Sequence, residues 1–193
     1  MTLRRNFLLG ACAVALPLPA LAQVASLVQQ RNVIDTLAAA GNYNNFIEIV
    51  SRAGLVETLK GAGPFTLLAP NNAAMARMPN SLREMIDPST GGSGQQRQDP
   101  DRVRLLAFVN MHIINGRFGA ADLAGRTVTA RTHNGNTVEI NSMQAGNTAF
   151  RIVGDSGFGV GGITVRTTPV TMVGPEILAS NGVVLPISEP LIQ

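Results

Sequence analysis

The sequence predicts an α+β fold, and three observations carry that expectation. Apolar residues recur at helical spacing through the first third of the chain. The last third alternates with a period of two between Gly- and Asn-bearing turns. One short apolar run, in "GPFTLLAPNNAAM", stands between a Gly-Pro breaker and a new helix start. Helices first and strands later argue for segregated layers rather than an alternating parallel sheet.

The first residues read as an export signal over 1–22. Arg4 and Arg5 precede an apolar run from Phe7 to Leu18, and Ala20-Leu21-Ala22 is a small-x-small cleavage site. The run is too short for a membrane-spanning helix of about 20 residues. Arg4-Arg5-Asn6-Phe7-Leu8 also matches the twin-arginine core R-R-x-F-L; a basic start of this kind serves the general secretory route too. A lipoprotein reading at Cys12 would leave only Phe7 to Ala11 as apolar region, which is too little.

Cleavage leaves a single domain over 23–193. Of 15 Lys and Arg, two leave with the signal, and against 12 Asp and Glu the remainder carries a formal charge of +1. That balance, with no basic run, gives no electrostatic footprint for nucleic acid or anionic membrane. Cys12 is the chain's single cysteine, so the mature domain has no disulfide and no thiolate nucleophile or ligand. Aromatics are scarce, with no Trp and only Tyr43, which argues against stacking platforms for bases or sugars.

Within the domain, Val33, Ile34, Leu37 and Ala38 predict a helix stopped by Gly41. Phe46, Ile47, Val50 and Leu55 extend the pattern, with Asn44 or Asn45 near its cap and Gly54 as terminator. A strand is expected over 65–69 and a short helix over 81–86. Residues 88–98, "PSTGGSGQQRQ", read as a flexible loop inside the domain. Asp99 can cap a helix through Val103, Leu105, Leu106, Phe108 and Val109 that ends near Asn115-Gly116. Strands then follow in "RTVTART", "NTVEINSM", "NTAFRIVG" and "ITVRTTPV", with a last one through Val183, Val184, Leu185 and Ile187.

Several motifs imitate chemistry. Gly154-Asp155-Ser156-Gly157 copies the surroundings of a serine nucleophile, but neither His112 nor His133 lies in the context such a triad needs. Gly157-x-Gly159-x-x-Gly162 matches a dinucleotide fingerprint, yet "ITVRTTPV" follows where a helix is required. His133 beside Asn134-Gly135 reads as a turn residue, and His112 among Phe108, Val109, Ile113 and Ile114 as a satisfied core histidine. Asp99 with Asp101 and Glu84 with Asp87 flank helix starts or the loop, where capping explains them. No catalytic, metal or cofactor site is predicted.

Three blocks, in order, resemble the fasciclin domain. Gly63-Pro64-Phe65-Thr66-Leu67-Leu68-Ala69-Pro70-Asn71-Asn72-Ala73-Ala74-Met75 is similar to the family's first block, with Leu68, Asn71 and Met75 as departures. "LLAFVNMHIINGRF" is similar to its central block, with His112 on the motif histidine and Met111 in place of tyrosine. Ala179-Ser180-Asn181-Gly182-Val183-Val184 is similar to its closing block, with Leu185 for histidine and Ser188 near the usual aspartate. The resemblance covers about residues 30–192. It implies helices packed on a wedge of two mainly antiparallel sheets, with Thr66, Pro70, Asn72, His112, Asn181 and Gly182 as structural motif positions. Pro70 would sit where no backbone donor is needed, and Asn71 or Asn72 would cap the following helix. Thr66 and His112 would be buried polar groups fixing helices against sheet.

The same resemblance implies a non-catalytic interaction or adhesion module, periplasmic or secreted, whose partner is a cell-envelope or extracellular protein or polysaccharide. The alternative it implies is a carrier of a small apolar ligand such as a carotenoid. Met75, Met78, Met85, Met111, Met143 and Met172 suit either an adaptable apolar surface or, more simply, core gaps.

Overall fold

The computed structural model describes residues 31–80, 83, 102–144, 147–153 and 169–192. The expected export signal, the expected loop over 88–98, the expected cap Asp99 and both glycine-rich motifs lie outside those residues. So does all of the 81–86 helix except Arg83. The helices are α1 (Val33–Ala40), α2 (Asn44–Ala53), α3 (Val56–Lys60), α4 (Asn72–Ala76), α5 (Arg102–Met111) and α6 (Ala120–Leu123). The strands are β1 (Phe65–Pro70), β2 (Ile113–Asn115), β3 (Thr127–Arg131), β4 (Thr137–Gln144), β5 (Asn147–Val153), β6 (Val170–Thr171), β7 (Ile177–Ala179) and β8 (Gly182–Ile187).

Two four-stranded sheets form, in the orders β2-β1-β8-β7 and β3-β4-β5-β6. The first is mixed. β1 runs parallel to β8, from Phe65 opposite Gly182 to Pro70 opposite Ile187, and β2 and β7 flank them antiparallel. The second is antiparallel throughout. A bridge between Ile114 and Thr132 joins the sheets on one side, and one between Met172 and Ile187 joins them on the other.

Burial patterns follow from this layering. β1 and β8 are buried at every position, because helices cover one face of the first sheet and the second sheet covers the other. Leu67, Ala69 and Val184 pack with Val33, Leu37, Phe46, Val50 and Phe108 in the helix-side core. Leu68, Val183, Leu185 and Ile187 face Val138, Ile140, Phe150 and Ile152 in the core between the sheets. The second sheet shows its outer face to solvent, which is why its strands alternate. There Glu139 and Arg151 stand opposite each other and form an ion pair at 2.8 Å.

Gly41 and Gly54 end α1 and α2 in the left-handed conformation, as the pattern predicts. One expectation needs correction. The helix anticipated up to Asn115 stops at Met111, and Ile113–Asn115 is strand: these β-branched side chains pair with β1, so tertiary pairing overrides the helical run. Asn44 and Asn45 open α2 next to its cap, Tyr43, which supplies no side-chain acceptor. Of the strand expected over "ITVRTTPV", residues 163–168 lie outside the described residues, and Val170 falls in the two-residue β6.

Candidate functional site

The corner after β1 divides its two asparagines. Asn71 caps α4, its side-chain oxygen accepting from Ala74 N–H at 2.7 Å. Asn72 instead accepts from Asn45 N–H at 3.1 Å and donates its own N–H to the Asn42 carbonyl. It therefore supplies from across the corner the acceptor that Tyr43 lacks. Pro70 closes β1, opposite Ile187.

Thr66 is fully buried. Its hydroxyl donates to the Gly116 carbonyl at 2.7 Å and accepts from Phe118 N–H at 2.9 Å. It thus fixes the loop leaving β2, rather than a helix as the resemblance implied.

His112 does join layers. Its ring is fully buried beside Phe46 and Phe108. Nδ1 lies 2.7 Å from the Phe108 carbonyl, which can only accept, and Nε2 lies 2.9 Å from the Leu191 N–H, which can only donate. These partners require the neutral Nδ1–H tautomer. Burial lowers its pKa to about 4, against the opposing pull of the Phe108 carbonyl. Neutral and doubly engaged, His112 ties α5 to the C-terminal segment. It has no free lone pair for a metal and no accessible proton for acid–base chemistry.

Asn181, in the β7–β8 turn, is the third polar tie. Its side-chain oxygen accepts from Val33 N–H at 2.9 Å, at the start of α1. Its amide nitrogen donates at 2.7 Å to the carbonyls of both Leu59 and Gly61, at the end of α3. Its own carbonyl accepts from Phe65 N–H at 3.0 Å. Gly182 beside it lies so close to β1 that a Cβ would overlap the Phe65 carbonyl oxygen. A similar tie that sequence reasoning missed runs through Ser188, whose hydroxyl accepts from Thr171 N–H at 3.1 Å and links the sheets.

The motif residues therefore do not converge on one pocket; they are separate joints of the scaffold. Every buried side-chain nitrogen and oxygen among the described residues has a partner. Among those residues, no group of three or more His, Cys, Asp or Glu converges as a metal site. No described helix is long and apolar enough to cross a membrane.

A concavity does lie elsewhere. An open groove of about 660 Å³ is lined by Ala120, Ala124, Met143, Thr148, Met172 and Pro175, among others. Acidic groups at its margin are structural: Glu176 accepts from Ala120 N–H at 2.7 Å and Asp122 from Gly119 N–H at 3.1 Å, satisfying the start of α6. Met143 is 63% exposed, whereas Met75, Met78 and Met111 are buried.

Comparison with known proteins agrees with this geometry. Residues 41–193 match the family model of the fasciclin domain. The chain is 26% identical over 154 residues to the uncharacterized protein sll1735 of Synechocystis sp., covering 79% of this chain and 91% of that one. It is 24% identical over 149 residues to protein sll1483 of the same organism, covering 76% of this chain and 66% of that one. Among solved structures it resembles a FAS1 domain pair from the insect cell adhesion molecule fasciclin I. The TM-score is 0.55 at 14% identity, over 86% of this chain and 52% of that one. Fold, motif joints and family model coincide, and the chain belongs to the fasciclin domain family.

Proposed function

We propose that the protein is a non-catalytic interaction module, exported by the twin-arginine-like signal, cleaved near Ala22, and acting in the periplasm or outside the cell. Its partner would be a protein or polysaccharide of the cell envelope or extracellular space, not nucleic acid. The observation that carries this reading is the use of the polar interior. Thr66, His112 and Asn181 spend their hydrogen-bonding capacity on backbone groups of their own chain. The motif then builds a scaffold, and recognition falls to the exposed surface. Membership of a family whose domains are generally non-catalytic supports the same reading. To test it, the tagged mature protein would be immobilised and challenged with envelope fractions of its native host. Saturable capture of a defined component is expected, and turnover of that component without retention would overturn the reading.

The groove beside Met143 and Met172 favours a second reading, a carrier of a small apolar ligand such as a carotenoid. Two thioethers, two alanines and a proline form an adaptable apolar wall. An absorption spectrum and a native mass spectrum of protein purified from the host would decide it. A visible band or a stoichiometric extra mass supports the carrier; a colourless protein at the bare mass of residues 23–193 contradicts it.

A further inference from the structure

Among the described residues, strand β3 has an open edge longer than those of the other outer strands. β2 and β7 have three residues each and β6 only two, and β2 and β6 are bridged to the opposite sheet. β3 spans five residues, Thr127–Arg131, without proline. Thr132 N–H donates to the Asn136 carbonyl, and the Arg126 carbonyl accepts from Ser142 N–H, so even-numbered residues face β4. Antiparallel alternation then turns the N–H and C=O groups of Thr127, Thr129 and Arg131 outward, and the Ile114–Thr132 bridge sets Asn115 N–H on the Arg131 carbonyl, so Thr127 and Thr129 carry the outward pairs that no described residue meets. His133 N–H, next in that outward series, already donates to the Ile113 carbonyl of β2 at 2.8 Å. β2 ends at Asn115, and no described residue continues its ladder along β3.

Charge selects what can fill that place. Arg126 and Arg131 are exposed at the two ends of the edge, and neither has a carboxylate partner among the described residues. A strand with acidic residues at its ends would neutralise both.

We propose that β3 is a strand-addition site for an extended, acidic segment of a partner protein, running antiparallel to β3 in line with β2. The inference rests on the interaction-module reading and assigns it a surface and a partner chemistry. Outward main-chain groups supply the ladder, and Arg126 and Arg131 select the charge.

The probe is a capped peptide of alternating threonine and valine flanked by glutamates, compared with its lysine-flanked counterpart. Amide shifts and hydrogen exchange of the labelled mature protein are the readout. The acidic peptide is expected to perturb and protect the Thr127 and Thr129 amides, and the lysine peptide to bind at least ~10-fold more weakly. Thr129→Pro removes the central outward donor and should abolish the response. Arg126→Glu with Arg131→Glu, a surface change that spares the core, should reverse the charge preference. Absent binding, equal affinity for both peptides, or peptide-free protection that grows with protein concentration overturns the proposal. A Thr129→Pro protein that ignores the peptide yet still captures an envelope component overturns the β3 site and leaves the module reading standing. A wild-type protein that binds the acidic peptide at β3 and captures nothing from the envelope contradicts the module reading instead.

Discussion

His112 couples burial to protonation, and the sign of the effect follows from its two partners. A proton on Nε2 would face the Leu191 N–H, donor against donor, in a fully buried site. With the folded pKa near 4 and an ordinary value of 6.5, neutral His112 contributes fully above about pH 6.5. That contribution is lost as pH falls from there toward 4, a change of about 3 kcal/mol. Urea denaturation at pH 7 and pH 4.5 should show the decline, and His112→Phe should be less stable at pH 7 but flatter across the interval. An equally steep profile in that variant would assign the acid sensitivity elsewhere. Asn181→Ala removes an acceptor and a two-way donor at once and strands the Val33 N–H, so a loss of about 2–4 kcal/mol is expected in the same assay. Gly182→Ala is a steric test: with Phe65 backbone in the way, β8 must shift from β1, at a cost of about 3 kcal/mol or more. Unchanged stability there would contradict the β1–β8 register.

At the scale of elements, the two asparagines of the β1–α4 corner serve different helices. Asn71→Ala should loosen α4 and Asn72→Ala should loosen the start of α2, each by about 1 kcal/mol. Site-resolved hydrogen exchange separates them, because the loss should appear at Ala74 in one variant and at Asn45 in the other. Sequence reasoning reached the corner and its proline but not this division. Asn72 and Asn45 are 27 positions apart, and no local pattern reports such a contact. The same limit explains α5 and β2. Periodicity alone extends the helix through Ile113 and Ile114, whereas pairing with Leu67 and Thr66 makes them strand. Gly41 and Gly54 were legible because the left-handed turn that ends a helix is a local demand on one residue.

For the whole molecule, the α+β class was legible from where the period changes, and the family from three ordered blocks. The parallel pairing of β1 with β8 was not, because it joins segments more than 100 positions apart and both strands are buried at every position. The groove escaped for a similar reason: Ala120, Met143 and Met172 lie far apart in the chain and meet only in three dimensions. Of the described methionines, Met75, Met78 and Met111 proved to be core residues, while Met143 and Met172 reach the groove. The central claim is that the polar motif is scaffold and the exposed surface recognises a partner. It is tested most directly by titrating isolated envelopes of the native host with wild-type protein and with His112→Phe, under conditions where both are folded by circular dichroism. Saturable binding with the same affinity for both is expected, since His112 lies wholly inside. Loss of binding by a folded His112→Phe protein, or no saturable binding by the wild type, would contradict the account.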